Sequence, residues 1–82
     1  MNANFVEVQR SPWETVWMHK EKPCWIVFYE NSTHPALSFF QAYRPVSKVP
    51  KDRDPWTVDN RRIGTIDGYK TLESAMQAVE AA

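Results

Sequence analysis

Eighty-two residues suffice for one domain, spanning 1–82, with a small core, because a chain this short hides only about 60–65% of the surface its unfolded form exposes. Hydrophobic residues at 43% and charged residues at 24% belong to a folded domain and exclude a disordered, collagenous or membrane-spanning chain. Ten basic against ten acidic side chains leave no global positive field, which excludes nucleic-acid binding driven by overall charge, and with only Gly64 and Gly68, four apart, neither a GxxxxGK(S/T) phosphate loop nor a GxGxxG dinucleotide-binding turn can be written.

In chain order, Phe5 to Val8 alternates between two faces and predicts an edge strand or an ordered arm. Ser11-Pro12 interrupts it. Trp13 to His19 then reads as a strand with Trp13, Thr15 and Trp17 on one face and Val16 and Met18 on the other. Lys20 to Pro23 has hairpin length and polarity. Cys24 to Tyr29 follows as the strongest strand signal, apolar on both faces and therefore central in the sheet. After a turn at Asn31 to Pro35, Leu37 to Arg44 predicts a third strand.

Residues 45–56 space three prolines five apart among charges, which predicts a long exposed loop. A short fourth strand is expected within 57–66, and Asp67-Gly68 marks a turn. Thr71 then caps a helix whose Leu72, Ala75, Met76 and Val79 fall on one stripe, so these residues are expected to be buried against the sheet. The expected fold is α+β, an antiparallel sheet of three or four strands with one C-terminal helix on one face.

Catalytic chemistry finds little support in the spacing. Cys24, His19 and His34 form no local triad or dyad, Cys24 reads as a small buried hydrophobe, and the two histidines read as strand-end and turn residues. One cysteine and two scattered histidines fall short of a zinc set, so no metal, cofactor or enzymatic activity is expected. The lone cysteine also permits no internal disulfide. The first residues carry no apolar run of an export signal and no stretch of about eighteen apolar residues occurs, so a cytoplasmic protein without membrane contact is expected. Asn31-Ser32-Thr33 then reads as a turn and not as a glycosylation site.

The aromatic surplus is more informative. Four tryptophans, three tyrosines and four phenylalanines exceed what one helix can cover on one face of a sheet. If the helix packs on the Val16 and Met18 side, Trp13 and Trp17 belong to an opposite aromatic face. That face is either a docking surface or is covered by the N-terminal arm and the proline-rich loop. Charge is uneven as well, because residues 44–62 hold six basic and three acidic side chains. Arg44, Lys48, Lys51, Arg53, Arg61 and Arg62, with Trp56 among them, could meet phosphates or an acidic protein surface. The alternative is a solvated loop neutralised by Asp52, Asp54 and Asp59.

The stretch Arg61 to Ala75, a strand, a Gly-Thr and then Tyr69-Lys70-Thr71 opening an amphipathic helix, resembles the close of small three-stranded-sheet-plus-helix domains, as in phage integrase arm-binding domains and plant ethylene-response DNA-binding domains. The resemblance implies a sheet that enters the DNA major groove with a helix behind it. The chain is also similar in general character to small accessory proteins of phages and prophages. The leading expectation is a non-catalytic binding protein of a phage or mobile element. It would dock a protein partner through Trp13, Trp17 and Trp56 and the basic stretch. A sequence-specific DNA-binding module is the alternative.

Overall fold

Alternating apolar residues on successive short segments pair most simply with their chain neighbours, and the protein follows that rule throughout. The structure, a computed structural model, describes residues 3–12 and 14–82. Five strands, β1 (Phe5–Ser11), β2 (Glu14–His19), β3 (Trp25–Tyr29), β4 (Phe39–Pro45) and β5 (Asn60–Ile63), form one antiparallel sheet in chain order, followed by the helix α1 (Leu72–Ala81). The α+β architecture with a C-terminal helix matches the expectation. The central place of β3 matches as well, and Trp25, Ile26 and Val27 are all buried.

The sheet has five strands where three or four were expected. The N-terminal segment is a full strand, pairing from Phe5↔His19 to Gln9↔Thr15, and Asn60–Ile63 pairs with Ala42–Pro45. Strand β4 starts at Phe39 and not at Leu37, because Pro35 sits in the first turn of a 3-10 helix over Pro35–Leu37.

The helix packs on the face that carries Trp17, Cys24, Ile26, Ala42 and Ile63, and not on the Val16 and Met18 side. Volume accounts for the choice. Cys24 and Ala42 leave room for a helix to lie over β3 and β4, whereas the opposite face presents Trp25 and Tyr43. Ala75, Met76 and Val79 are buried in this layer with Leu72 half-buried, and the Thr71 hydroxyl accepts from the Ser74 N–H at 3.2 Å as the N-cap.

The far end of the helix is tied to the β2–β3 turn. A helix leaves its last carbonyls without internal partners, and the Lys22 ammonium donates to those of Val79, Glu80 and Ala82 at 3.2, 2.9 and 3.2 Å. His19 is buried beside them with the Phe5 ring edge-on at 5.0 Å. Its Nδ1 accepts from the N–H groups of Glu21 and Lys22 at 3.0 and 2.9 Å, which leaves the proton on Nε2 to donate to the Glu80 carboxylate. Asn4 adds a second hydrogen bond to Glu80 at 3.1 Å. His19 is thus more than a strand-end residue. It joins the β2–β3 turn to the helix end.

The His19 bond, with lesser help from Asn4 and nearby charge, holds the Glu80 carboxyl below the ordinary glutamate range despite some opposing desolvation. A lowered folded-state value means that this contribution is fully present above the ordinary glutamate value and is lost as pH falls through Glu80's own lower value. Urea midpoints from neutral pH down to about pH 3 should therefore drop further for the wild type than for Glu80→Gln. Parallel curves would show that the latch contributes nothing.

The loop between β4 and β5 is not wholly exposed. It is pinned where the Val46 N–H donates to the Asp59 carbonyl at 2.9 Å, and its second 3-10 turn, Pro55–Thr57, buries Pro55 and half-buries Trp56 against the helix-free face.

Candidate functional site

Strand β1 slips out of register between Gln9 and Ser11, and the bulge falls at Arg10. Bulges bend a strand and re-aim its side chains. Here the Arg10 guanidinium lies 5.4 Å from the centre of the Trp56 ring, within cation–π range, and also bonds the Glu14 carboxylate. Trp56 comes from the opposite edge of the sheet, in the loop between β4 and β5. Pro55 fixes the first position of its 3-10 turn, and the Thr57 N–H and hydroxyl close on the Asp54 carbonyl at 3.1 and 2.7 Å.

Under Trp56 the sheet supplies an aromatic floor. Trp25 meets Trp56 edge-on at 6.3 Å and stacks on Tyr43 at 5.6 Å with 22° between planes. The Tyr43 and Tyr29 hydroxyls are 2.8 Å apart, and Tyr29 stacks on Phe39 at 5.3 Å. Between these groups lies an open pocket of about 220 Å³, framed by Arg10, Trp25, Tyr29, Tyr43, Trp56 and Asn60. Tyr29 also lines a neighbouring depression with Glu14, Phe28 and Glu30, so the Arg10–Glu14 ion pair stands between a basic and an acidic hollow.

Burial, reinforced by the hydrogen bond to Tyr43, pushes the Tyr29 phenol well above its ordinary range, so it keeps its proton. In the bond between the two hydroxyls one donates and the other accepts. The proton of the accepting hydroxyl remains for a ligand. On the helix side, burial pushes the Cys24 thiol up, with Lys22 and Arg44 opposing only in part, which suits packing better than nucleophilic attack. Among the described residues no group of three or more His, Cys, Asp or Glu side chains gathers as a metal site, and no helix is long and apolar enough to cross a membrane.

The residues singled out from the sequence go to three places. Trp56 is in the pocket wall. Trp17 is half-buried on the helix side, tilted against Phe40 at 5.8 Å, and takes no part in the pocket. Trp13 lies outside the described residues. Arg62 pairs with Tyr43 and so shares the pocket face, while Arg44 and Arg61 pair with each other on the helix-side face. Lys48, Lys51 and Arg53 are exposed on the loop that carries Trp56. Among the described residues none of these six cations makes an ion pair.

The broad aromatic face thus contracts to one pocket. Tyr29 is the only aromatic counted as exposed among the described residues, at 38%. The cover comes from the proline-rich loop, whereas the N-terminal segment joins the sheet edge. Arg10, Tyr43 and Asn60 were missed as site residues. Alternation groups Tyr43 with Phe39 on one face of β4, but only the register sets it opposite Trp25, and nothing in the pattern announces the bulge that aims Arg10. Comparison with known protein families, curated proteins and solved structures finds no match.

Proposed function

We propose that the protein is a small non-catalytic binding domain that docks a protein partner on its helix-free face, at the pocket between Trp56, Tyr43 and Arg10. One observation carries this reading. An aromatic-walled depression with unused hydrogen-bond donors opens on the face that carries Arg62, and the loop that supplies Trp56 also carries Lys48, Lys51 and Arg53, none of them ion-paired among the described residues. Tryptophan, tyrosine and arginine are the side chains that dominate interface energetics. In keeping with the sequence resemblance, such a domain serves as a cytoplasmic accessory protein of a phage or mobile element, which the genes beside its own would test.

Trp56→Ala should weaken partner binding by about 2 kcal/mol or more, the scale of an interface hot spot. The check is capture from host lysate with wild type and variant, followed by titration of the protein identified. Undiminished binding to Trp56→Ala would place the interface elsewhere. The opposed pair Arg44 and Arg61 favours duplex DNA as a second reading, because like charges directly across a sheet repel unless an anion lies between them. The sheet face that a three-stranded reader would lay in the groove is, however, crossed here by the Trp56 turn. Duplex titration at two salt concentrations separates the readings, since phosphate binding falls steeply with salt.

A further inference from the structure

The polar groups around the pocket are mostly donors. A guanidinium offers five N–H groups and no acceptor, and among the described residues that of Arg10 makes one hydrogen bond, to Glu14. The linked Tyr29 and Tyr43 hydroxyls leave one proton to donate outward. The Asn60 amide reaches the Val58 carbonyl only at 3.4 Å, which leaves it little committed. Glu14, the nearest acid, is engaged with Arg10 itself. Arg62 lies opposite Tyr43 on the same face, and the loop that carries Trp56 holds the exposed Lys48, Lys51 and Arg53.

A site with this polarity asks for an acceptor-rich, negatively charged group. Its volume, about 220 Å³, suits one side chain and not a helix. One face of Trp56 is already under the Arg10 guanidinium, which disfavours stacking by a nucleobase. We propose that the pocket receives the carboxylate of an Asp or Glu in an acidic segment of a partner protein. The carboxylate meets the free edge of Arg10 and the tyrosine hydroxyl, and the methylene stem lies against Trp56 and Tyr43. Flanking acids of the same segment meet Arg62 and the loop lysines. This assignment rests on the protein-docking reading and supplies its chemistry.

The test uses the full chain with four probes: a capped Glu-Asp repeat peptide, a Gln-Asn peptide of equal length, inorganic phosphate, and single-stranded oligothymidylate. Binding is followed by tryptophan fluorescence, and circular dichroism confirms that each variant folds. The acidic peptide should bind the wild type and weaken on adding salt. Affinity should fall about tenfold or more with Arg10→Gln, with a smaller loss in Arg10→Lys, which keeps charge but not the fork. Asn60→Ala, which leaves Arg10 in place, should also weaken the peptide, and the Gln-Asn peptide should not bind. Equal affinity of wild type and Arg10→Gln for the acidic peptide would overturn the assignment, as would stronger binding of phosphate or oligothymidylate. If the acidic peptide fails to bind while a captured partner still depends on Trp56, the carboxylate assignment falls and the docking reading stands.

Discussion

Trp25→Ala is expected to lower stability by about 3–5 kcal/mol, the usual cost of removing a buried large aromatic. Trp25 is 2% exposed at the middle of the sheet, stacked on Tyr43 and touched edge-on by Trp56. Its loss opens a cavity between the sheet and the β4–β5 loop that the rigid β3 backbone cannot close. A domain of this size has a total stability of roughly 4–12 kcal/mol, so the variant should populate unfolded chains at modest urea concentrations. Trp56 should also lose its seat, which predicts loss of partner binding even under conditions where the variant remains folded. Urea unfolding followed by far-ultraviolet circular dichroism is the measurement. A cost below about 1 kcal/mol would show that the helix-free layer is not a true core.

Gly68→Ala is the second large effect expected. Gly68 has φ +70°, a left-handed conformation that costs any other residue roughly 1–2 kcal/mol. Space adds to the strain. A Cβ there would lie 2.5 Å from the Phe40 carbonyl oxygen and 2.8 Å from the Phe39 ring. The oxygen belongs to backbone that cannot yield, because Phe40 and Tyr69 exchange N–H and carbonyl at 2.8 and 2.7 Å and the Gln41 amide donates to the Ile66 carbonyl at 2.8 Å. With overpacking at roughly 1–3 kcal/mol, the sum predicted is about 3 kcal/mol or more. The damage should centre on the 65–69 turn and the start of α1, visible as faster amide exchange at Tyr69 and Ser74. Unchanged exchange there and an unchanged midpoint would refute the close approach.

The elements that were legible are those whose signal is local. Trp25 to Tyr29 is β-branched or aromatic at every position, the pattern of a central strand, and its Trp25, Ile26 and Val27 are buried on both faces, while the Leu72, Ala75, Met76, Val79 stripe behind Thr71 admits little besides an amphipathic helix. Alternation put Trp17 and Val16 on opposite faces of β2 but could not say which set of β3 residues shares a face with Trp17, nor which face the helix takes. That choice depends on the combined volume of Cys24 and Ala42 against Trp25 and Tyr43, residues brought together only by the strand register. The same limit explains the site. Arg10 and Trp56 are neighbours because a bulge and a proline-led turn converge, and His19 meets Glu80 across 61 residues of chain. Trp56 stood out because an aromatic in a charged, proline-punctuated stretch has few reasons to be there unless it packs or binds, and here it lines a pocket wall.

The proposed working surface is the helix-free face, and a backbone and indole amide chemical-shift map recorded with the captured partner tests that proposal most directly. Shifts should concentrate on the Trp56 indole, Tyr29, Tyr43, Arg10, Asn60 and Arg62, and leave the outward helix residues Glu73 and Gln77 unmoved. Shifts confined to the outer helix surface or to the Arg44 and Arg61 side, with the Trp56 indole unperturbed, would contradict it.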